Sequence, residues 1–488
     1  MRFPTTPASL ALATVLGIIP PAMSQPRPTQ DMLVRLNGAD TIGEKGAVEL
    51  ATAWAKQLKF KSFRVDPGAD PFEYDVVAEG AEGTQRLRVQ VRMKGGTDAG
   101  IEPLLRGQSD FWMAARPVRE SDLEAMRKKG VPNVPTLAQM QQVGTENVIG
   151  LSALAILVNP KNAMTGITAG QMKDMYSGRI NNWSQIPGGA NVPVGLYSLI
   201  VGHGETDTFC GTIIGLPDPK RCLESFSRLA APPIQEPEDM ADAVVSNPGG
   251  IGFVDLNLKR GARAAPVASG CGVGVEPTVF RIKAEEYPLV QRLILYTAPN
   301  RTPSPAARAF LQFTLGPAGQ AAIAAAELAD LAPSVSDPDY GAMRQDSIRD
   351  AMDGGRTRIR PTDVRAFQTA TANADRLSIT YRFQTGTNSL DSKAEADIAR
   401  VAALMQQAPY DRMDLLLIGY SASAGDYNDN RSLSQERAEA VRDRLVAAGV
   451  KGVSAIGIGP AGAVTCNLDP ATSTQNQRVE VWVRKRNG

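Results

Sequence analysis

The residues of this chain that could do chemistry are few, and their types and spacing argue against catalysis. The 488 residues include one histidine, His203, which excludes a metal site built on a histidine pair, the HExxH motif included. Gly419-Tyr420-Ser421-Ala422-Ser423 nearly spells a nucleophile elbow, but the second glycine of that motif is missing. No Walker loop occurs either. The sequence therefore predicts no enzyme, no catalytic residue, no metal site and no cofactor.

Polar residues instead occupy glycine-rich turns that follow predicted strands. A strand over 32–36 precedes a turn containing Asp40 and Thr41, and a strand over 86–93 precedes a turn containing Thr97 and Asp98. A helical pattern follows each turn. Strand, turn and helix in repetition predict an open α/β sheet, and such sheets bind ligands at the carboxyl ends of their strands. The pattern favours a binding protein.

Composition and the N-terminus indicate an exported protein with no nucleic-acid partner. Lys and Arg total 52 and Asp and Glu total 51, so no excess of positive charge points to nucleic acid or an anionic membrane. Residues 1–24 combine Arg2, an apolar run over 10–19 and Ala22-Met23-Ser24, which is typical of a secretory signal peptide. That run is too short to span a bilayer, so a cleaved signal is favoured over a retained anchor.

The cysteines fit an oxidising compartment. There are four, Cys210, Cys222, Cys271 and Cys466, and they allow three pairings. Cys210 and Cys222 flank a short proline-containing loop and form the expected bridge, while the pairing of the other two stays open. No CxxC motif supports a zinc ribbon or a thioredoxin-like site.

One long stretch carries a family pattern. Residues 158–186 read VNPKNAMTGITAGQMKDMYSGRINNWSQI, which is a strand end, a turn, a helix with Thr168 as N-cap, and a tryptophan. This stretch resembles the middle signature of the phosphate-binding proteins that serve ABC transporters. The resemblance covers about residues 31–332 and includes these further segments: LNGADTIG at 36–43, GGTDAG at 95–100, GQSDFWMAARPV at 107–118 and VGLYSLIVGHGETDTF at 194–209.

The resemblance implies an α/β two-lobed clamp of the periplasmic-binding-protein class, type II-like, over residues 25–335, with its second lobe at about 150–265. In such clamps backbone N–H groups and hydroxyls bind an oxyanion, an arginine supplies countercharge, and an aspartate accepts the proton that phosphate carries. Asp110 is expected in that last role, the alternative being a surface or helix-capping carboxylate. The implied ligand-binding residues are Thr41, Thr97, Asp110, Arg116, His203 and Thr206.

Four positions depart from the family pattern. Leu199 stands where the family has its arginine, Glu205 replaces a hydroxyl residue, and Asp40 and Asp98 replace glycines. Three carboxylates thus enter three loops that should converge on an anion. Like charges a few ångströms apart cost on the order of 1 to 4 kcal/mol near a protein surface. The sequence therefore weakens the expectation of ordinary phosphate binding.

The departures leave three alternatives open. Lys94, Arg116 or His203 supplies replacement countercharge. Alternatively, the cleft holds a cationic or hydrogen-bonding ligand, or a metal bridged to an anion. In the third alternative the clamp has lost its ligand and the acids face solvent.

A second unit follows a segment rich in Asp, Gly, Arg and Pro, 336–374, which is interpreted as a linker with one short helix. Over 375–488 the apolar pattern predicts a βαβαββ order and an α+β sandwich. Residues 418–450, IGYSASAGDYNDNRSLSQERAEAVRDRLVAAGV, resemble the OmpA-like domain, a periplasmic peptidoglycan-binding module.

The OmpA-like resemblance implies a site for the diaminopimelate of peptidoglycan. Arg437 and Asn430 match the motif, with Arg437 expected to bind a carboxylate. Ala422 stands where the family has the aspartate that binds the ammonium, and Asp426 in the same loop could replace it. The alternative for Arg437 is a solvated helix residue.

Together these patterns predict a periplasmic solute-binding protein, for phosphate or a related small ligand, associated with the cell envelope or outer membrane. Its expected partners are a small solute, peptidoglycan, and an ABC transporter permease or sensor. The alternative is a scaffold on the cell wall whose clamp binds a protein or has lost its ligand.

Overall fold

The computed structural model of the protein describes residues 31–80, 85–268, 274–337, 340, 360–384, 387, 389–422, 426–461 and 476–486. The predicted signal peptide over 1–24 lies outside these residues, as do Cys271 and Cys466. Within the described ranges, no helix combines the length and the apolar character needed to cross a membrane.

The first lobe is built on a sheet with parallel central strands. Its elements are β1 (Met32–Gly38), α1 (Asp40–Gly43), α2 (Gly46–Gln57), β2 (Ser62–Pro67), β3 (Glu73–Glu79), β4 (Arg86–Arg92), α3 (Gly96–Ala99), α4 (Ile101–Leu105), β5 (Phe111–Ala114), α5 (Glu120–Lys128) and α6 (Leu137–Met140). β1 lies between β4 and β5 and runs parallel to both. Because parallel strands end at one edge of a sheet, the turns after β1, β4 and β5 lie close together.

The second lobe follows a long buried strand. Its elements are β6 (Glu146–Val158), β7 (Ile167–Thr168), α7 (Ala169–Tyr176), β8 (Gly195–Leu196), α8 (Gly204–Phe209), α9 (Pro219–Phe226), α10 (Met240–Ser246), β9 (Gly250–Asp255), β10 (Arg263–Ala264), β11 (Val267–Ala268) and β12 (Gly274–Val275). Thr168 caps α7 by accepting the Gln171 N–H, as the sequence predicts. Trp183 is buried and donates its indole N–H to the Gly249 carbonyl at 2.9 Å, which holds the family stretch against β9.

A disulfide joins Cys210 to Cys222, the pair that the sequence favours. Cys210 begins a π-helical turn, Cys210–Ile214, directly after α8, and Cys222 lies in α9. Closing a loop of this size stabilises a fold by about 3 kcal/mol in the chain-entropy model. The bridge therefore fixes the base of the helix whose N-terminal residues face the first lobe.

The chain then returns to the first lobe. The returning elements are α11 (Val279–Lys283), β13 (Val290–Tyr296), α12 (Pro305–Leu315) and α13 (Pro317–Ala325). β13 lies between β5 and the first half of β6, antiparallel to both, while the second half of β6 pairs with β9. β6 is therefore the strand that both lobes share.

The C-terminal domain has the predicted βαβαββ order. Its elements are α14 (Pro361–Thr371), β14 (Ala374–Arg382), α15 (Ser392–Leu404), β15 (Met413–Tyr420), α16 (Tyr427–Ala447), β16 (Val453–Gly457) and β17 (Arg478–Lys485). The sheet order is β14-β17-β15-β16, and an apolar core that includes Leu415, Val441 and Val481 separates the sheet from α15 and α16. The expected small α+β sandwich is confirmed.

The two domains are in contact. Glu285 accepts hydrogen bonds from Arg292 of β13 at 2.6 Å and from Arg382 of β14 at 2.9 Å. Arg292 also donates to Asp391 of the C-terminal domain at 2.8 Å. The described part of the expected linker, 336–374, is also packed rather than solvated, because Phe367 of α14 is fully buried against Trp482.

Candidate functional site

The turns after β4 and β5 face the start of α8 across a cavity of about 520 Å³, and the turn after β1 contacts Gly204 at the start of α8. Thr97 and Arg116 line this cavity from the first lobe, and Gly204 and Asp207 line it from the second. The C-terminal domain closes one side with Arg382, Phe383, Asp391 and Gln477. We call this space the cleft.

Asp40 joins the two lobes at the base of the cleft. One of its carboxylate oxygens accepts the Gly204 N–H of the second lobe at 2.8 Å, and the other accepts the Thr41 N–H at 3.0 Å. A Cβ on Gly204 would lie 2.7 Å from this carboxylate, so the approach requires glycine at that position. A carboxylate of the protein thus holds two backbone donors that a bound anion could otherwise use.

His203 and Glu44 lie beside Asp40. The Nε2 of His203 is 3.0 Å from the Gln235 carbonyl oxygen, and its Nδ1 is 3.7 Å from Asp40 Oδ2. Burial lowers the pKa of His203, but Asp40 and the Gln235 carbonyl together raise it by more, so the net shift is upward. Desolvation, followed by the charge of Asp40, raises the pKa of Glu44 to about 7.

The Arg116 guanidinium is paired with carboxylates of its own lobe. It donates to both oxygens of Asp122, at 2.7 and 2.9 Å, and also to Asp98. The Thr97 hydroxyl accepts the Ala115 N–H at 3.1 Å. The cation and the hydroxyl on this wall are therefore partly engaged before any ligand arrives.

Three more acids of the second lobe lie in this region, and the pKa of each is raised. Desolvation, and then the charges of Asp98 and Asp40, raise the pKa of Asp207 to about 7. Glu205 and Asp255 are buried, and burial followed by neighbouring carboxylates raises the pKa of each well above its usual range. The cleft is therefore better suited to a cation, or to an anion accompanied by one, than to a free anion.

Asp110 does not lie with the other expected ligand residues. It precedes β5 instead of following it, and its carboxylate accepts the Arg35 N–H at 2.9 Å and the Arg35 guanidinium at 3.2 Å. The strand β5 separates it from Arg116 at the cleft. This corrects the expectation that Asp110 accepts a proton from the ligand.

Three other positions also face away from the cleft. Thr206 is fully buried and donates its hydroxyl to the Ile200 carbonyl of its own lobe at 3.0 Å. Leu199 is 0% exposed and belongs to the apolar core, so an arginine would not fit there in this fold. Lys94 pairs with Asp70 at 2.6 Å on the surface and supplies no countercharge to the cleft. Of the expected residues, Thr97 and Arg116 line the cleft, while Thr41 and His203 lie beside Asp40 at the adjoining contact between the lobes.

Sequence reasoning did not identify Glu44, Asp207 or Gln235. Glu44 had a usable signal, because it lies four residues after Asp40 and residues at that spacing share a helix face. Asp207 lies in the family-like segment 194–209, but only the residues before it were considered as ligands, and Gln235 lies outside every segment that matches the family pattern.

The C-terminal domain contains a second polar site, around Arg437 of α16. The residue is 4% exposed, its guanidinium lies 4.9 Å from the centre of the Phe383 ring, and Nη2 donates to Gln477 at 3.2 Å. Its Nε and Nη1 have no hydrogen-bond partner among the described residues. Burial lowers the pKa of Arg437. Arg437 is therefore a buried cation and not a solvated helix residue.

The other expected residues of this second site lie at or just before the start of α16. Asn430 lies half-buried in the first turn of α16, and Ala422 lies half-buried just after β15. Asp426 caps α16, because its carboxylate accepts the Asn428 N–H at 2.8 Å and the Asp429 N–H at 3.2 Å. Since its carboxylate is used as the cap, Asp426 is a poor substitute for the missing aspartate.

A two-lobed clamp with a polar cleft between its lobes, joined to a βαβαββ domain, defines a solute-binding type of protein. The chain belongs to the PBP superfamily, since that domain model matches residues 66–318, more than half of its length. The OmpA family model matches residues 382–479. Both expected families are thereby confirmed.

Individual relatives are distant. The chain is 24% identical over 260 residues to Protein SphX of Synechococcus elongatus, covering 51% of this chain and 71% of the relative. It is 25% identical over 208 residues to the phosphate-binding protein PstS of Staphylococcus saprophyticus, covering 41% and 59%. Among solved structures it resembles an ABC-type phosphate transport receptor from Vibrio cholerae, with a TM-score of 0.44, 19% identity, and coverage of 61% and 99%.

Proposed function

We propose that this protein is a solute-binding clamp of the cell envelope, exported to the periplasm and attached to peptidoglycan by its C-terminal domain. The PBP superfamily match supports solute binding, and the OmpA match supports attachment to the wall. The predicted signal peptide over 1–24 supports export. A transporter permease or a sensor in the membrane is the proposed receiver of the solute.

The observation that carries the proposal is the cavity between the lobes. Its volume of about 520 Å³ is in the range of small-ligand sites, roughly 300 to 1,000 Å³. Polar groups meet there from both lobes, among them Thr97, Arg116 and the turn at Gly204. A small polar solute fits such a space better than a macromolecule does.

Phosphate is the reference ligand, because relatives of this chain bear the name phosphate-binding protein. In this protein, free phosphate would meet the carboxylates of Asp98 and Asp207 on the cavity wall and that of Asp40 behind Gly204, while Arg116 already binds Asp122. Each added negative charge nearby costs on the order of 1 to 4 kcal/mol. We therefore propose that the unaided cleft binds phosphate weakly.

The proposed wall contact uses Arg437. Two of its nitrogens lack partners among the described residues, so a carboxylate of peptidoglycan could bind them directly. The neighbouring Ala422 offers nothing to an ammonium. Wall binding through this site is therefore proposed to be real but weak.

A second candidate function is a scaffold on the cell wall that needs no solute. The hydrogen bond from Gly204 to Asp40 favours it, because that contact joins the two lobes without a ligand. In this case the clamp stays closed on its own carboxylate, and its outer surface binds a protein.

Native mass spectrometry of the freshly purified full-length protein separates the two candidates. A small molecule that travels with the protein, and is lost when Arg116→Ala and Thr97→Ala open one wall of the cleft, supports solute capture. The matched control is Arg127→Ala, which removes an exposed arginine of the same lobe. A protein of bare mass, combined with no uptake of phosphate, sulfate or amino acids in equilibrium dialysis, would favour the scaffold.

A further inference from the structure

Three metal-binding side chains converge where the lobes meet. Asp40 and Glu44 come from the first lobe and His203 from the second, and one ligand atom of each lies within 4.8 Å of the other two. Acids alone would not define a site, since clusters of carboxylates are common on protein surfaces. The imidazole of His203 is what distinguishes this cluster.

The hydrogen bonding of His203 prepares its Nδ1 as a ligand atom. The Nε2 is held by the Gln235 carbonyl at 3.0 Å, and a carbonyl accepts but cannot donate, so Nε2 carries the proton. In the neutral ring Nδ1 then bears the lone pair. That Nδ1 is buried, has no hydrogen-bond partner among the described residues, and points to Asp40. Metal-binding histidines are commonly fixed by such a contact through their second nitrogen.

Asp40 is held equally firmly. Its oxygens accept the Gly204 and Thr41 N–H groups, and each oxygen keeps a second lone pair. Two ligand atoms about 2.1 Å from a tetrahedral ion lie roughly 3.4 Å apart, and His203 Nδ1 is 3.7 Å from Asp40 Oδ2. The Thr41 hydroxyl is a further buried oxygen without a partner among the described residues.

We propose that Asp40, Glu44 and His203 form a site for one divalent transition-metal ion. One imidazole nitrogen with carboxylate oxygens suits Mn²⁺ and Zn²⁺, since imidazole favours Zn²⁺ and carboxylates suit Mn²⁺. The ion would neutralise charge that is otherwise concentrated in a buried place. It also binds residues of both lobes, so it holds the clamp closed.

The metal site adjoins the cleft, because Asp40 accepts the N–H of Gly204, which lines the cavity. An ion bound there could therefore also contact the solute. Three protein ligands leave coordination positions open, and an oxyanion on those positions would be attracted by the ion despite the surrounding carboxylates. This extension rests on the proposed function, because it assumes that the cleft takes a small solute. The metal site itself does not depend on that assumption.

The alternative to a metal ion in this cluster is a proton on His203. A protonated His203 would pair with Asp40 through Nδ1 and neutralise part of the cluster without any metal. The two explanations differ in what the full-length protein takes up after treatment with a chelator.

The test uses chelator-treated full-length protein, titrated with Mn²⁺ or Zn²⁺ in a calorimeter, together with pulsed EPR of the Mn²⁺ form. We expect one ion per chain and a nitrogen coupling from the imidazole. His203→Ala should abolish that coupling and the uptake. Glu44→Gln, which removes one ligand charge and keeps the side-chain size, should weaken binding roughly tenfold or more, the loss of about 1.4 kcal/mol. Asp443→Asn, an exposed acid in α16, is the control and should change nothing.

The outcomes separate the metal site from the proposed solute binding. No uptake at millimolar metal, or uptake that is the same in all variants, overturns the metal site and assigns the cluster to a protonated His203. Phosphate is then titrated with and without the ion. Metal uptake with no phosphate or other solute bound supports the metal site and counts against solute capture. Solute capture that is unaffected by metal and by Glu44→Gln supports the proposed function and overturns only the proposed role of the ion in binding the solute.

Discussion

The cleft and the Arg437 site depart from their families in opposite directions. The cleft has acquired carboxylates, and its arginine, Arg116, is paired internally. The site in the C-terminal domain has lost its acid at Ala422 and keeps a buried guanidinium with two nitrogens that lack partners among the described residues. One site has surplus negative charge, and the other has an unbalanced positive charge.

The difference shows how a protein can accommodate an altered binding site. The carboxylate of Asp40 accepts hydrogen bonds from the Gly204 and Thr41 N–H groups where the two lobes meet. Among the described residues, the guanidinium of Arg437 contacts Gln477 and the face of Phe383. The carboxylate of Asp40 is therefore satisfied within the protein, while two nitrogens of Arg437 lack partners among the described residues and are proposed to bind an external carboxylate.

The largest expected effect concerns the ion pairs of Glu285, which join the two domains. Glu285→Gln leaves the half-buried Arg292 and Arg382 without their shared carboxylate, so we expect a loss of about 3 kcal/mol in the free energy of unfolding. Denaturant unfolding measures it, with the exposed Glu276→Gln as control. The variant should also be cleaved faster by protease between residues 332 and 374. Equal stability of both variants would show that the domains do not depend on this contact.

The same variant predicts a pH dependence. Burial alone would raise the pKa of Glu285, but Arg292, Lys393 and Arg382 lower it below its usual range. A carboxyl with a lowered pKa stabilises the fold above its unfolded value of 4.5 and loses that contribution as the pH falls further. The difference in unfolding free energy between the unaltered protein and Glu285→Gln should therefore be at its full size at pH 7 and should shrink as the pH falls below 4.5.

The next effect restores the missing acid of the C-terminal site. Ala422→Asp supplies a partner for the ammonium of diaminopimelate, and a charge-assisted hydrogen bond contributes roughly 1.5 to 3 kcal/mol. Binding of the full-length protein to purified sacculi should strengthen about ten- to a hundredfold. Adding Arg437→Ala should remove the gain. Tight binding by the unaltered protein that is insensitive to Arg437→Ala would place the wall contact on another surface.

The smallest expected effect concerns the stability that is lost when the buried carboxyl of Asp255 ionises. The pKa of Asp255 is raised, so the folded state binds its proton more firmly than the unfolded state, and stability falls as the pH rises above 3.8. Asp255→Asn cannot ionise and should gain on the order of 1 to 2 kcal/mol at pH 8, with a smaller gain at pH 5. Thermal unfolding at the two pH values tests this. Asp242→Asn, an exposed acid of the same lobe, should show no such difference.

Elements with strong periodicity were predictable from the sequence. The buried run in β6, the capped helix α7 and the whole βαβαββ order were predicted because their apolar residues repeat at the spacing of a strand or a helix. The β2–β3 hairpin was not predicted. β2 lies at the sheet edge with both faces largely exposed, so charged residues such as Arg64 and Asp66 break the alternation.

The site was less predictable, because matching letters does not show which end of a strand a residue occupies. Asp110 and Arg116 flank the same four-residue strand, and only Arg116 reaches the cleft. The contact between Asp40 and Gly204 joins residues far apart in the chain, and the pairing of Arg116 with Asp122 depends on how the chain turns into α5. The sequence shows the additional carboxylates in the loops, but it does not show which hydrogen-bond donors and cations pair with them.

The most direct test of the account is a calorimetric titration of phosphate into chelator-treated, full-length protein and into Asp40→Gly. We expect a dissociation constant for phosphate above roughly 0.1 mM in the unaltered protein. Removing one carboxylate and freeing the Gly204 N–H in Asp40→Gly should strengthen binding about tenfold or more. Asp40→Asn, which keeps an acceptor for that N–H but loses the charge, should fall between the two. Micromolar binding by the unaltered protein, or no change in Asp40→Gly, would contradict the claim that the carboxylates of the protein occupy the anion site.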